Sequence, residues 1–171
     1  YAEEISDNIF FIGLNNAMVY TLSSSSDICK EQADFLATEL SGASGYSKII
    51  LSYHIPAYPI VTRYTWQNPC ADSWHDILTT YSSRFDEIIV ISGHTHGLAH
   101  AIWDGIDYLE VGASHDMSSE KHVDEVGETG CSTSRSYEFC EVTPGYWICD
   151  SNLDNCLAKD QNGNEIVGSA F

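Results

Sequence analysis

The chain has 171 residues and a mass of 18.9 kDa, with 43% hydrophobic and 12% aromatic side chains. This length and composition predict one compact domain with its own core and exclude wholesale disorder. The 7 basic and 25 acidic side chains give a formal net charge of −18. That charge excludes nucleic-acid binding through a basic face, because phosphates would be repelled. No apolar run reaches the ~18 residues of a membrane span, so a transmembrane helix is excluded as well.

The first strand and the first helix are predicted near the start of the chain. Residues 8–14 form a short apolar run bounded by polar residues, which is typical of a buried strand. Apolar residues at helical spacing then predict a helix that starts at Ser26 or Asp27 as N-cap and ends at Gly42 as C-cap. A second buried strand is expected over residues 48–53, and two prolines that follow it prevent the strand from continuing.

The next elements repeat this alternation. Residues 71–83 carry apolar side chains at helical spacing and predict a second helix, capped by Asp72 or Ser73. His75 falls on this helix and is expected to be solvated. Residues 87–92 are a third apolar run and predict a third buried strand.

A hairpin is predicted after the third strand. Residues 99–103 and 106–111 have strand-like composition, and Asp104-Gly105 between them is a favoured pair for a type I′ turn. From residue 114 to 144 the chain is polar and without a clear period, and a last strand is expected over residues 145–150.

Strands that alternate with helices predict an α/β fold, a layered sheet with flanking helices. We assign residues 1–115 to this domain. Residues 116–171 are expected to form a disulfide-rich extension of loops and irregular or β structure packed on the same domain.

The six cysteines are an even set without a C-x-x-C pair, so a zinc ribbon or a thioredoxin-like motif is a poor match. Few lysines and many Ser, Thr and Tyr residues accompany them, which indicates a disulfide-bonded protein that is secreted or lies in the endomembrane lumen. Six unpaired cytosolic thiols are the alternative. The chain begins at Tyr1 without an initiator Met or a signal segment, as expected of a processed or partial product. We predict the following disulfides: Cys29–Cys70, Cys131–Cys140 and Cys149–Cys156.

Three histidines follow two of the predicted strands. His54 lies at the end of the strand over 48–53, and His94 and His96 follow the strand over 87–92. In α/β folds, functional sites collect beyond the carboxyl ends of the strands. Neutral imidazole is a common ligand for transition metals. Each histidine alone would favour a structural hydrogen bond, but the three together predict a metal site.

These residues carry a family resemblance. A strand followed by His54-x-Pro, then a helix, then a strand followed by Gly-His-Thr-His at residues 93–96, then a hairpin resembles the C-terminal half of a calcineurin-like metallophosphoesterase. The same superfamily includes purple acid phosphatases and acid sphingomyelinases. The resemblance covers roughly residues 5–115 and implies half of the family's β-sandwich.

The resemblance implies a centre of two divalent or trivalent metal ions, Zn, Fe or Mn, that hydrolyses phosphate mono- or diesters. By the family pattern, His54 and His94 would bind one metal ion and His96 the other, which makes these three the expected catalytic residues. His96 or a nearby histidine would also help to orient the leaving group. The acidic net charge is no obstacle to a phosphoester substrate, because the metal ions set the local charge.

Side chains that follow His54 are candidates for a substrate cleft. Tyr58, Arg63 and Tyr64 would line it, with Arg63 in contact with a phosphate group. The alternative is that all three pack under a loop.

The family's Asp-x-His, Gly-Asp and Gly-Asn-His motifs are absent from the sequence. Three explanations stay open. The missing N-terminal half of the domain lies on an upstream segment or a partner chain, or the half-site holds one metal ion, or the histidines are relics. The last case describes a non-catalytic extracellular structural or assembly protein on a degenerate scaffold. A sheet cut in mid-fold would expose a strand edge, so a partner is expected in either case.

Overall fold

The computed structural model describes residues 1–16, 25–61, 68–112, 130–132, 136–142, 145–160, 162–166 and 168. Over these residues the chain is a mixed α/β protein, largely sheet, with two helices and nine strands. The elements are, in chain order, β1 (Ala2–Ser6), β2 (Ile9–Gly13), α1 (Ser25–Gly42), β3 (Lys48–Ser52), α2 (Ala71–Ser82), β4 (Glu87–Ser92), β5 (Leu98–Trp103), β6 (Ile106–Glu110), β7 (Phe139–Glu141), β8 (Gly145–Cys149) and β9 (Cys156–Asp160).

Seven strands form one sheet in the order β1-β2-β3-β4-β6-β5-β7, and β8 pairs with β9 in a separate antiparallel sheet. Strands β2, β3 and β4 are parallel, as the alternation of strands and helices predicts. Strand β1 is antiparallel to β2, and β7 is antiparallel to β5. Ser52 pairs with Ile91, so β3 and β4 end at the same edge of the sheet.

The described residues divide into two compact units. The first consists of Tyr1–Tyr58, Trp66–Ser92 and Ile102–Tyr108, and the second of Pro59–Thr65, Gly93–Ala101 and Leu109–Phe171. The chain therefore passes between the units within the β5–β6 hairpin. The boundary that we predict near residue 115 lies outside the described residues, so the division into 1–115 and 116–171 stays a prediction.

The core of the first unit lies between the parallel strands and the two helices. Alternate residues of β3 and β4 point to this side, as the period of a strand requires. Burial of each large aliphatic side chain stabilises the fold by about 1.5–3 kcal/mol. The largest fully buried side chains of this core include Ile12, Leu36, Leu40, Ile49, Leu51, Trp74, Leu78 and Ile88.

Both predicted helices are present, and α2 begins at Ala71 as predicted, but α1 begins before its predicted N-cap. Helix α1 begins at Ser25, so Ser26 and Asp27 lie in its first turn and do not cap it. The Asp27 carboxylate still interacts favourably with the N-terminal end of the helix dipole. Gly42 is the last residue of α1 and therefore lies at the predicted end.

The predicted caps of α2 are also wrong. The N-cap is Cys70, which makes no side-chain capping hydrogen bond, and both Asp72 and Ser73 lie within the helix. Cys70 is instead joined to Cys29 of α1 by a disulfide, so a covalent bond ties the first turn of α2 to α1. The Asp72 carboxylate accepts a hydrogen bond from the Tyr58 hydroxyl, with 2.7 Å between the oxygens.

The hairpin and all the predicted disulfides are confirmed. Asp104 and Gly105 have φ angles of 52° and 75°, and both positive values are those a type I′ turn requires. The structure forms the disulfides Cys29–Cys70, Cys131–Cys140 and Cys149–Cys156.

Strands β1, β7 and β9 are not predicted from the sequence. Residues 3–6 of β1 are exposed, so this edge strand lacks an alternating apolar pattern. Strand β7 is only three residues long. Strand β9 ends in the polar pair Lys159 and Asp160, and its pairing with β8 supplies the order that its sequence does not indicate.

Candidate functional site

His54 is held by a buried asparagine. It lies two residues beyond β3 and its side chain is exposed. The Asn16 side chain is 1% exposed, and its Oδ1 accepts hydrogen bonds from the backbone amides of His54 and Ile55 at 3.1 and 3.0 Å. Its Nδ2 donates to the Ile55 carbonyl oxygen at 2.6 Å. One amide side chain therefore fixes the backbone that carries His54, within the first unit.

His94 and His96 lie in a tight loop directly after β4, in the second unit. Their φ angles are 68° and 62°, in the left-handed region of backbone conformation that residues other than glycine rarely adopt. Each such residue costs roughly 1–3 kcal/mol and persists only where the surroundings impose it. Thr95 between them is 1% exposed, so the two half-buried imidazoles flank a buried anchor.

That anchor is bound to a buried carboxyl group. The Thr95 hydroxyl donates to Glu110 Oε2 at 2.6 Å, and the Val61 amide donates to the same oxygen at 3.2 Å. The Ile60 amide donates to Glu110 Oε1. Glu110 is 1% exposed, and the pKa of its carboxyl group is raised from 4.5 to about 7, because the effect of burial outweighs that of the three hydrogen bonds, which lower the pKa.

A close backbone approach packs the loop further. A Cβ atom at Gly97 would lie 2.5 Å from Val61 Cγ2 and 3.1 Å from the Glu141 carbonyl oxygen. Only glycine fits there without a shift of its neighbours. The segment at Val61 is in turn bridged to Cys131, so the disulfide-rich part of the second unit supports the loop.

The predicted ligands are divided between the two units: His54 belongs to the first and the pair His94 and His96 to the second. His54 and His94 each follow the end of their strand by two residues, and those two strands are parallel neighbours. Within the part of the chain that the structure describes, no group of three or more His, Cys, Asp or Glu residues is arranged to hold a metal ion. The role of the three histidines as metal ligands and catalytic residues stays a prediction.

Of the predicted cleft residues, Tyr58 alone is described, and Arg63 and Tyr64 lie outside the described residues. Tyr58 is half-buried. Its ring lies edge-on to the rings of His75 and Trp103, with centroids 5.7 and 5.6 Å apart. These contacts show an aromatic cluster in the first unit, and the substrate cleft stays a prediction.

The expectation that His75 is solvated is wrong. Its side chain is 14% exposed, and its Nδ1 lies 2.7 Å from the Tyr108 hydroxyl and its Nε2 2.9 Å from Asp104 Oδ2. A neutral imidazole that donates from Nε2 to Asp104 accepts from the Tyr108 hydroxyl at Nδ1. His75 therefore links α2 to the β5–β6 hairpin.

Sequence reasoning missed the two residues that organise these loops, Asn16 and Glu110. A weak signal exists for Glu110, because it occupies the same strand face as the buried Ile106 and Tyr108 of β6. A charged residue in a buried register indicates a polar partner inside the fold. Asn16 carries no such pattern, since its partners follow from the pairing of strands.

The fold and these contacts define a disulfide-bonded α/β protein with two histidine-bearing loops at strand ends. No family model matches the chain, and no curated protein does. Its fold is similar to that of a solved structure described as GAP50, the anchor in the inner membrane complex of Plasmodium, with a TM-score of 0.67. The two share 17% identity over 95% of this chain and 48% of that one. The chain thus spans about half the length of that protein, and the likeness shows the fold alone.

The three disulfides fit a secreted or lumenal protein. A separate observation concerns the bilayer: neither helix in the described part of the chain is long and apolar enough to cross one.

Proposed function

We propose that the chain supplies His54, His94 and His96 to a metal centre that hydrolyses phosphate mono- or diesters, as in the calcineurin-like metallophosphoesterases. The observation that carries the proposal is the left-handed backbone at both His94 and His96. Costly backbone conformations that the surroundings impose are concentrated at functional sites. Here both fall on imidazoles that follow the carboxyl end of a parallel strand, where α/β proteins bind ligands.

The donor chemistry fits the proposed metals in part. Neutral imidazole nitrogens suit Zn and Fe, whereas Mn favours carboxylate oxygens. In this proposal, the oxygen ligands of the centre come from an upstream segment or from a partner chain that forms the N-terminal half of the domain. When bound, the metal ions would supply an activated water and Lewis-acid stabilisation of the phosphoryl group.

The chain's own residues have separate roles in this proposal. His54, His94 and His96 bind the metal ions, and His96 or a nearby histidine also helps to orient the leaving group. Tyr58 would border the substrate cleft. Beyond the described residues, Arg63 would hold a phosphate oxygen through its guanidinium group, with Tyr64 beside it.

The test uses the chain recovered from its native source through an affinity tag, so that any attached segment or partner is recovered with it. Elemental analysis counts metal ions per chain, and the intact mass reports additional polypeptide. Hydrolysis of p-nitrophenyl phosphate and bis(p-nitrophenyl) phosphate reports the activity. We expect about two transition-metal ions per chain, added mass and hydrolysis of at least one ester. Absence of both metal and hydrolysis contradicts the proposal.

Variants assign the metal to the loop. The double variant His94→Ala/His96→Ala is expected to lose metal and activity. His75→Gln is the matched control, because this histidine contacts Tyr108 and Asp104 and is not a proposed ligand. It should keep both properties. Full metal content in the double variant would show that these histidines are not ligands.

A second candidate is a non-catalytic structural or assembly protein on the same scaffold. The likeness to a protein described as an anchor favours it, since that fold covers 95% of this chain. In this case the tagged chain would copurify with a partner protein but contain no stoichiometric metal and hydrolyse neither ester. Metal content thus separates the two candidates.

A further inference from the structure

We infer that Glu110 is a positioning residue that sets the conformation of the loop bearing His94 and His96. It acts through Thr95 and through the backbone of Ile60 and Val61. The inference rests on the proposed function only where it concerns metal binding. The conformational claim stands on the contacts in the second unit alone.

Three donors converge on this one carboxyl group. The Thr95 hydroxyl and the Val61 amide share Oε2, and the Ile60 amide occupies Oε1. Both oxygens of an ionised carboxylate can accept these hydrogen bonds, and neither carries a hydrogen that would face a donor. A glutamine would direct an NH₂ group at one of the donors, so it cannot satisfy all three.

The Thr95 hydroxyl has a particular position in this arrangement. It belongs to the residue between two left-handed histidines, and its side chain is buried while the imidazoles are half-buried. A short backbone contact inside the loop, from the Thr95 amide to the Gly93 carbonyl oxygen at 2.8 Å, tightens the same turn. The bond to Glu110 therefore counters the cost of the two unfavourable φ angles.

The carboxyl group also joins the loop to a second segment. The Val61 amide donates a hydrogen bond to Glu110, and a side chain at Gly97 would overlap with the side chain of the same Val61. The Ile60 carbonyl oxygen accepts from the Ser132 amide at 2.7 Å, so the segment is held on its other side too. Glu110 thus fixes the loop and the surface against which the loop packs.

Loss of this contact should loosen both imidazoles while the hydrophobic core stays intact. Hydrogen bonds that hold metal-ligating residues in position contribute about 10–100-fold to metal affinity. Removal of the Thr95 hydroxyl alone should therefore weaken metal binding at the loop by about 10-fold or more.

The experiment compares Thr95→Val, which keeps the shape and removes the hydroxyl, with Thr95→Ser, which restores the donor. Thr38→Val is the matched control, because the Thr38 hydroxyl is exposed and donates to the Asp34 carbonyl oxygen of its own helix. Zn²⁺ affinity is measured at pH 8 by competition with a chromophoric chelator, and amide hydrogen exchange of residues 93–97 is measured without metal. We expect Thr95→Val to lower the affinity about 10-fold or more and to accelerate the exchange. Thr95→Ser and Thr38→Val should stay close to the original chain.

Unchanged exchange and affinity in Thr95→Val would overturn the inference. If the original chain binds no Zn²⁺, the proposed function fails in this chain, and the exchange rates alone decide the positioning role. Should Thr95→Val not fold, exchange in the original chain decides: the inference requires stronger protection at Thr95 than in the exposed turn at Asn152. Equal protection would overturn it.

Discussion

The side chain of Asn16 and the backbone of Ile55 form a two-way hydrogen-bonded pair, with Nδ2 donating at 2.6 Å and Oδ1 accepting at 3.0 Å. The two residues are 39 positions apart and follow neighbouring parallel strands. The same Oδ1 also accepts the His54 amide. A residue that follows β2 thereby fixes the backbone of a candidate ligand that follows β3.

Asn16→Ala is expected to lower the free energy of unfolding by about 2–4 kcal/mol, because it leaves three buried or half-buried backbone groups without this partner. Urea denaturation measures the change. Asn15→Ala is the control, since Asn15 is exposed and its backbone rather than its side chain contacts Gln32. It should change stability by less than about 0.5 kcal/mol. Equal effects of the two substitutions would contradict this account.

Stability should fall as the pH rises from 4.5 to 8. The pKa of Glu110 is raised to about 7 in the folded chain, so the folded state holds this proton more tightly than the unfolded state. The raised pKa adds about 3 kcal/mol to the free energy of unfolding below pH 4.5, and this contribution is lost as the pH rises through 7. Unfolding free energies at pH 4.5 and 8 measure it. Glu110→Gln should remove this part of the pH dependence, and an unchanged slope in the variant would assign it to other groups.

The three disulfides should not be equivalent. Cys29–Cys70 closes a separation of 41 residues and Cys149–Cys156 one of 7. In the chain-entropy account, loss of the first costs about 4 kcal/mol and loss of the second about 2 kcal/mol. The two double Cys→Ala variants are matched in burial, because each disulfide joins one fully buried cysteine to one half-buried cysteine. Thermal unfolding of the two variants should rank them in this order, and the reverse order would refute the account.

Gly145→Ala should be among the most destabilising single substitutions in the second unit. A Cβ atom there would lie 2.2 Å from the Lys159 carbonyl oxygen and 2.7 Å from Leu98 Cδ1. Because the first of these is backbone of the paired strand, we expect a loss of about 3 kcal/mol. Gly42→Ala is the control, because apart from its chain neighbours and its own helix backbone nothing lies within 4 Å of the added Cβ, and it should leave stability unchanged or slightly raised. Denaturant midpoints of the two variants decide.

Tyr108→Phe tests the contact between α2 and β6. It removes the hydroxyl that lies 2.7 Å from His75 Nδ1, at a residue that is 5% exposed. We expect a loss of about 1–2 kcal/mol. Tyr137, which is 40% exposed, gives the control Tyr137→Phe, with an expected change below about 0.5 kcal/mol. A Tyr108→Phe variant as stable as its control would mean that the hydroxyl adds nothing to the fold.

Elements with a local signal followed from the sequence alone. The apolar run over residues 87–92 coincides with β4, and helical spacing located both helices to within a few residues. Asp104-Gly105 determined the turn of the hairpin, because only a few residue pairs tolerate two positive φ angles. The strand ends also placed the candidate histidines, since a strand that stops delivers the next side chains to the edge of the sheet.

What the sequence by itself determined, then, is the order of the main strands and helices and the residues at their ends. Tertiary structure alone decided which buried polar groups meet. Glu110 and Ile60 are 50 positions apart, and no local pattern links them. A buried carboxyl or amide group must find a partner, but only the pairing of strands brings one within reach. The same holds for β7, whose three residues are ordered by β5 rather than by their own propensity.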